Sequence, residues 1–204
     1  MRVLDGRSLA TRAVLVGQRN NIHGLDFSAD SRFLATASID GTARVWDLAS
    51  TSPSSVTLEH PVAVERVRIS PDGSLVATIG ADATIRVWDV SSGRLKSLFS
   101  TARLMRGALM FMPDGRTVAG REHDGTVRFW DVTADTTVNL RHHHGLINWA
   151  GFAGNLIVSA GWDGWKGRPG SVRVCDAQTG AELAAFGEPG EVAYRLAVCR
   201  GFAA

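Results

Sequence analysis

The sequence predicts an all-β protein built from repeated four-stranded units. Three observations support this class: motifs that recur every 42 residues, short apolar runs rich in β-branched residues, and turn-forming residues spread along the chain. The 204 residues include 22 glycines and 6 prolines without a collagen period, and 45% of them are hydrophobic. The chain can therefore bury a core, and the composition argues against fibrous and disordered classes.

A Trp-Asp dipeptide sets the period of the repeat. It lies at 46–47, 88–89 and 130–131, and the degenerate pairs Leu-Asp and Cys-Asp lie at 4–5 and 175–176. A turn signal precedes each Trp-Asp, as in DGTARVWD, DATIRVWD and DGTVRFWD. The last interval is 45 residues because the insert WKGRPG separates the turn at 163–164 from the strand that follows it.

A second block recurs upstream of each turn. Its copies are FSADSRFLATAS (27–38), ISPDGSLVATIG (69–80), FMPDGRTVAGRE (111–122) and the shortened FAGNLIVSAG (152–161). Each copy predicts a strand, a tight turn and a second strand. With the strand that carries Trp-Asp and an outer strand, each period holds four strands, which in the first copy are 22–28, 33–38, 42–47 and 55–58.

These motifs, recurring in phase over nearly the whole chain, resemble the WD-repeat family of β-propellers. The resemblance implies one β-propeller region, 1–204, with four complete four-stranded blades plus partial blades at both ends. The expected blades are 17–60, 61–101, 102–142 and 143–187, between partial blades at 1–16 and 188–204. Three arrangements stay open: part of a longer propeller, a small closed ring, or self-association through open blade edges.

The resemblance also implies a buried hydrogen-bond network in each blade, made of a His, a Ser or Thr, a turn Asp and the Trp, with the Asp near the His. Each partner left alone would cost about 1–3 kcal/mol. One blade is complete, and the others lack one or two members, such as the His that Gln18 replaces and the Trp that Cys175 replaces. The network residues are Thr36, Asp40, Trp46; His60, Thr78, Asp82, Trp88; Asp124, Trp130; and His143, Ser159, Asp163.

Two catalytic or metal-binding alternatives are weaker. His60, Thr78 and Asp82 could be taken for a hydrolytic triad, but partial copies recur at the period, which favours a structural role. In the run 142–144 only the first and third His could point the same way, and no matching ligand cluster accompanies them. We therefore expect no catalytic residue, no metal and no cofactor, and the chain is predicted not to be an enzyme.

Arginine recurs in phase on the predicted third strands. These arginines could form a basic ring for an anionic partner such as nucleic acid, or each could stack within its own blade or pair with a turn Asp. The net charge of only +2 favours the second interpretation. The positions are Arg2, Arg44, Arg86, Arg128 and Arg173.

The function that the resemblance implies is a non-catalytic scaffold for a protein or peptide, as a sensor or interaction module of a larger signalling or regulatory protein. An enzyme or ligand-binding propeller that uses the channel is the alternative. Partners would contact positions that vary between blades, near the inner strands and their turns, although Trp162 could instead fill the gap beside Cys175. The predicted partner-binding residues are His23, Glu65, Met105, His123, Asn148, Trp162 and Trp165.

The cysteine content, the apolar runs and the arginine preference bear on the location and source of the protein. Two cysteines are too few for a disulfide framework and favour a reducing compartment. No apolar run is long enough for a membrane span, and the first residues show no signal-peptide pattern. We expect a cytoplasmic protein without membrane contact. The preference for arginine over lysine indicates a GC-rich bacterial source.

Overall fold

The structure is a computed structural model. It describes residues 1–49, 53–101, 104–122, 127–134, 136–140, 147–153, 156–162, 170–176, 179 and 181–186. Every regular element in these ranges is a β-strand, as the alternating and β-branched runs predict. The strands form one hairpin and four four-stranded sheets, which confirms the predicted all-β class.

The strands follow the repeat in chain order. An N-terminal hairpin comprises β1 (Arg2–Leu4) and β2 (Thr11–Val14). The first sheet comprises β3 (Ile22–Phe27), β4 (Phe33–Ser38), β5 (Thr42–Asp47) and β6 (Ser54–Glu59). The second sheet comprises β7 (Val64–Ile69), β8 (Leu75–Gly80), β9 (Thr84–Asp89) and β10 (Leu95–Ser100).

Two further sheets follow. The third comprises β11 (Leu104–Phe111), β12 (Thr117–Glu122), β13 (Val127–Asp131) and β14 (Thr136–Leu140). The fourth comprises β15 (Ile147–Ala153), β16 (Leu156–Trp162), β17 (Gly170–Asp176) and β18 (Glu182–Phe186). In each sheet the strands lie side by side in chain order, and the strands of the first, second and fourth sheets pair antiparallel.

The N-terminal hairpin differs slightly from the prediction. We expect an outer strand at 14–16, whereas β2 begins at Thr11. The reason is a compact turn, in which the Asp5 carboxylate accepts the backbone N–H groups of Arg7 and Ser8 at 3.0 and 2.9 Å. The Asp5 N–H also donates to Ala10 O at 2.8 Å, so the chain turns back early. The strand expected near the C-terminus, within 192–204, lies outside the described residues.

The chain clusters into two compact units. The first consists of Met1–Ala102, Leu109–Val118 and Asp131–Asp135, and the second of Arg103–Ala108, Ala119–Trp130 and Thr136–Ala204. The hairpin and the first two sheets belong to the first unit, and the fourth sheet belongs to the second. The third sheet contributes segments to both units.

The core of the first unit lies between its first two sheets. Strand β7 packs against β3 and β4, where small side chains allow a close approach. A Cβ added at Gly24 would lie 3.2 Å from Arg66 Cα, so a larger residue there would push the two backbones apart by a few tenths of an ångström. Burying each larger side chain stabilises the fold by about 1.5–3 kcal/mol. The buried residues include Ala35, Ala37, Ala43, Val64, Val67, Ile69 and Val76.

Candidate functional site

Thr78 lies at the centre of the buried network in the second sheet. Its Oγ1 accepts the indole N–H of Trp88 at 2.9 Å and lies 2.8 Å from His60 Nε2. His60 Nδ1 lies 3.0 Å from the carbonyl oxygen of Leu58, which can only accept, so Nδ1 carries the proton and Nε2 accepts from the Thr78 hydroxyl. The three side chains thus form one directional chain from indole to hydroxyl to imidazole.

The His60 ring is held neutral. Burial lowers its pKa to about 4, with the backbone acceptor Leu58 opposing the shift and the Arg86 charge adding to it. Only 9% of the residue is exposed. The neutral ring lets the Thr78 hydroxyl donate to Nε2, which is closer than its other acceptor, Arg86 O, at 3.2 Å. A protonated imidazole would have no lone pair to accept that hydrogen.

Asp82 lies near enough to His60 for its charge to oppose the lowering of the His60 pKa by burial, but no hydrogen bond joins the two side chains. We expect a network in which the turn Asp joins the His, but the Asp82 carboxylate accepts from Arg86 at 2.8 and 3.3 Å and from Thr84 N at 3.1 Å. The Arg86 bond is also the main cause of the lowered Asp82 pKa. The expected Asp–His link is therefore wrong for this sheet, and His60, Thr78 and Asp82 do not form a nucleophile–base–acid chain.

The first sheet has a shorter version of the network. Trp46 Nε1 donates to Thr36 Oγ1 at 3.0 Å, as in the second sheet. Gln18 stands in place of the His, and its amide reaches only the carbonyl oxygens of Thr36 and Thr42, at 3.5 and 3.4 Å. The Gln18 Oε1 atom is buried without a hydrogen-bond partner. The Asp40 carboxylate accepts from Thr42 N in its own turn at 2.9 Å and from Arg19 N, in the segment before β3, at 2.6 Å.

The third and fourth networks are only partly described. Trp130 is 1% exposed on β13, and Ser159 is buried on β16. Cys175, which replaces the Trp of the fourth repeat, is a buried free thiol whose pKa is raised chiefly by burial. The other predicted members, Asp124, His143 and Asp163, lie outside the described residues.

The in-phase arginines interact within their own sheets. Arg86 pairs with Asp82, and Arg173 pairs with Glu182 through a short contact. The Arg44 guanidinium lies 5.7 Å from the ring centroid of Trp46 and donates to Ser55 Oγ at 3.2 Å. These contacts match the intrasheet interpretation and leave three of the arginines poorly placed for an anionic partner.

Three of the predicted partner-binding residues share a backbone feature. The pairing of each inner strand shifts register by one residue, between Ile22 and Gly24, between Val64 and Arg66, and between Ile147 and Trp149. The extra residues are His23, Glu65 and Asn148. A β-bulge releases its extra residue from the hydrogen-bond ladder and redirects the side chain, a device common beside binding sites.

Arg66 joins two of these bulges in the first unit. Its Nη1 donates to the carbonyl oxygens of His23 and Glu65, at 3.0 and 2.8 Å. The His23 side chain is exposed and Glu65 is half-buried. Sequence reasoning missed Arg66, although one signal was available, since the neighbouring copies carry Gly24 and Ala108 at that position.

For the other predicted partner-binding residues, the structure describes only the backbone, or the residue lies outside the described ranges. Met105, Asn148 and Trp162 lie on β11, β15 and β16, and their side chains are outside the described part. His123 and Trp165 lie outside the described residues altogether, as does the run 142–144. Within the described ranges, no group of three His, Cys, Asp or Glu residues could hold a metal ion. The same ranges contain no helix of the length and apolarity that a bilayer crossing requires.

Comparisons with known proteins agree with the repeat. The curated relatives that the chain matches include Jouberin from Rattus norvegicus, 50% identical over 56 residues, and Jouberin from Mus musculus, 53% identical over 49 residues. Ribosome biogenesis protein YTM1 from Candida glabrata is 40% identical over 57 residues. These matches cover 26%, 23% and 28% of this chain, but only 5%, 5% and 12% of the relatives. The chain thus spans a small part of the length of these relatives.

A family pattern matches a larger share. The WD40 pattern, described as "WD domain, G-beta repeat", matches residues 9–47, 52–89 and 107–131, which together make half of the chain. In each matched segment the Trp-Asp dipeptide ends the third strand of a four-stranded sheet. On the pattern, the sheets and the Trp–Thr hydrogen bonds together, the chain belongs to the WD40-repeat family.

Proposed function

We propose that the chain is a non-catalytic scaffold that binds a protein or peptide at the bulged ends of its inner strands. The observation that carries the proposal is the repeated register shift, which sets His23, Glu65 and Asn148 apart from the ladder of their sheets. Residues at these positions are not needed to pair the strands, so their identity can differ from repeat to repeat and serve recognition of a partner.

The buried network supports the non-catalytic part of the proposal. Where it is described, its hydroxyl, indole and imidazole groups are used by one another, and the His60 pKa of about 4 makes the ring a weak base. Polar groups that are buried and hydrogen-bonded to one another stabilise a fold and are not exposed to a substrate. Recognition of a partner is then left to surface positions that differ between repeats.

The matches cover small parts of much longer proteins, which supports the proposal that this chain is a module of a larger signalling or regulatory protein. A cytoplasmic location and a bacterial source belong to the same proposal. Both rest on composition alone, that is, on few cysteines and on arginine in place of lysine.

Affinity capture with surface variants tests the proposal. The double variant His23→Ala/Glu65→Ala removes two bulge side chains of the first unit, and Arg94→Ala/Lys96→Ala removes two exposed charges beside and on β10 as a control. Both variants are captured from the source cells as part of the full-length protein. The amount of a specific partner captured with the bulge variant should fall at least tenfold, while the control captures the same amount as the parent. Equal retention by both variants, with unchanged unfolding midpoints, would overturn the proposal.

A further inference from the structure

A cavity opens between the first and second sheets, at the end opposite the bulges. It measures about 420 Å³, and its floor is formed by Phe33, Val45, Val56 and Val90. Phe33 pairs with Asp47 at this end of the first sheet, whereas the bulge at His23 lies at the other end. The volume is within the range of about 300–1,000 Å³ typical of small-ligand sites. The cavity is therefore separate from the surface proposed above.

The rim of the cavity carries hydrogen-bond donors that the protein does not use. The Arg32 guanidinium donates from Nη2 to Asp47 Oδ2 at 2.9 Å and from Nε to Asp47 Oδ1 at 3.4 Å. Its Cζ lies 4.8 Å from the centroid of the Phe33 ring, which holds it beside the apolar floor. A guanidinium has five N–H groups, so three remain without a protein acceptor among the described residues.

The acceptor on the rim is already engaged. Asp47 Oδ1 also accepts the backbone N–H of Ala49 at 2.9 Å, so both of its oxygens have donors. The Arg32 side chain, in contrast, is 54% exposed. The rim is therefore complementary to a ligand that brings a hydrogen-bond acceptor, and a carboxylate matches the geometry and charge of the guanidinium best.

The repeat does not require these two side chains. At the same positions the second repeat has Ser74 and Leu75, and the third has Arg116 and Thr117, so only the first of these three repeats combines an arginine with an aromatic ring. The backbone bond is kept in all three, since Leu48 N donates to Arg32 O, Val90 N to Ser74 O and Val132 N to Arg116 O. That bond therefore does not depend on the Arg32–Asp47 ion pair or on the contact between Arg32 and Phe33. Features that one repeat has and its neighbour does not are the places to look for specific recognition.

We propose that this cavity binds a peptide segment in which an aromatic or aliphatic side chain lies next to an acidic residue. The apolar side chain enters over Phe33 and the valines, and the carboxylate accepts from the free N–H groups of Arg32. The inference rests on the proposed function for its class of partner, and it assigns a second site at the other end of the sheet.

Methyl NMR of the full chain with short peptides tests the site. The probe is acetyl-Glu-Phe-Glu-amide, its uncharged match is acetyl-Gln-Phe-Gln-amide, and acetyl-Glu-Ser-Glu-amide lacks the apolar side chain. We expect saturable shifts of the Val56 and Val90 methyl signals with the first peptide, and at least fivefold weaker binding of the other two. Equal binding of the charged and uncharged peptides, or no saturable shift, would overturn the site.

Two variants separate this site from the bulge surface. Arg32→Ser introduces the residue that the second repeat carries, and should weaken binding of the acidic probe at least fivefold, with changes in the free-protein spectrum confined to the surroundings of position 32. Arg12→Ser, at an exposed arginine on β2 that does not line the cavity, should bind as the parent does. Binding that depends on His23 and Glu65 but not on Arg32 would overturn the cavity site and still support the proposed function. Should Arg32→Ser unfold, Arg32→Lys, which keeps the charge but not the forked geometry, must weaken the probe for the proposal to stand.

Discussion

The Arg86 guanidinium donates to both carboxylate oxygens of Asp82, at 2.8 and 3.3 Å, within one repeat. In the preceding repeat Arg44 and Asp40 hold the same positions, but no ion pair joins them. Arg44 stacks near its tryptophan instead, and its buried Nε has no hydrogen-bond partner. The same Asp and Arg positions of the motif therefore form two different electrostatic arrangements.

One cause of the difference between the two repeats is a backbone N–H group near the turn Asp. The Asp40 carboxylate accepts the N–H of Arg19 at 2.6 Å. The residue 42 positions further on is Pro61, which has no N–H to donate. Without that donor, the Asp82 carboxylate is open to the guanidinium of Arg86.

A second cause is the space that glycine leaves. Where the first repeat has Ser38, the second has Gly80. A Cβ added there would lie 2.6 Å from Asp82 Oδ1 and 3.2 Å from Arg86 Nη1. The ion pair fits because this strand position carries no side chain.

Gly80→Ala should break the Asp82–Arg86 pair. We expect a loss of about 1–2 kcal/mol in the free energy of unfolding, since a charge-assisted hydrogen bond is worth about that much. Urea unfolding measures it, with Gly6→Ala as the control because a Cβ there meets nothing within 4 Å. A Gly80→Ala protein as stable as the control would show that the pair contributes nothing.

Ala83→Gly should stabilise the second sheet. Ala83 adopts φ 56°, a left-handed conformation that costs an L-residue about 1–2 kcal/mol, while the equivalent Gly41 adopts φ 85° without that cost. After the greater chain entropy of glycine is subtracted, we expect a gain of about 0.5–1 kcal/mol in thermal or urea unfolding. Gly41→Ala should do the reverse, because its Cβ would lie 3.2 Å from His60 O. A loss of stability in Ala83→Gly would contradict the left-handed strain.

Thr78→Val should destabilise the protein more than Thr36→Val. The first change removes the partner of both Trp88 and His60, whereas the second removes the partner of Trp46 alone. Each orphaned buried group costs about 1–3 kcal/mol, so the difference between the variants should be at least about 1 kcal/mol. Urea midpoints of the two variants give the order directly, and the opposite order would refute the shared role of Thr78.

His60 should make stability depend on pH. Its folded pKa of about 4 lies below the unfolded value of 6.5, so the unfolded chain binds the proton more readily between these values. The contribution of neutral His60 to the free energy of unfolding is complete above pH 6.5. It falls by up to about 3 kcal/mol as the pH is lowered toward 4. Urea unfolding at pH 7.5 and 4.5 measures the slope, and His60→Gln, the residue type of Gln18, should reduce it. An unchanged slope in that variant would assign the pH dependence to other groups.

The sequence predicts the repeated parts of this molecule well, and for a physical reason. The alternation and turn residues of DGTARVWD define the strand Thr42–Asp47, and the period then locates Trp46 within hydrogen-bond reach of Thr36 on the neighbouring strand. These features depend on neighbours within one sheet, where spacing along the chain determines spacing in the structure.

Other features depend on partners that a repeat pattern does not encode. The Asp82–Arg86 pair depends on the missing N–H of Pro61 and the missing side chain of Gly80, not on the motif itself. The bulges at His23 and Glu65 arise in the pairing register, and the cavity beside Arg32 forms only where two sheets pack. Backbone register and intersheet packing therefore had to be seen in the structure.

Site-specific photo-crosslinking in the full-length protein tests the central claim most directly. A photoreactive amino acid is placed at position 23, on the first bulge, and in a separate protein at exposed position 96, on β10. If the bulged ends bind a partner, irradiation in the source cells should give a discrete protein adduct from position 23 that position 96 does not give. No adduct at position 23, or the same adducts from both positions, would contradict the account.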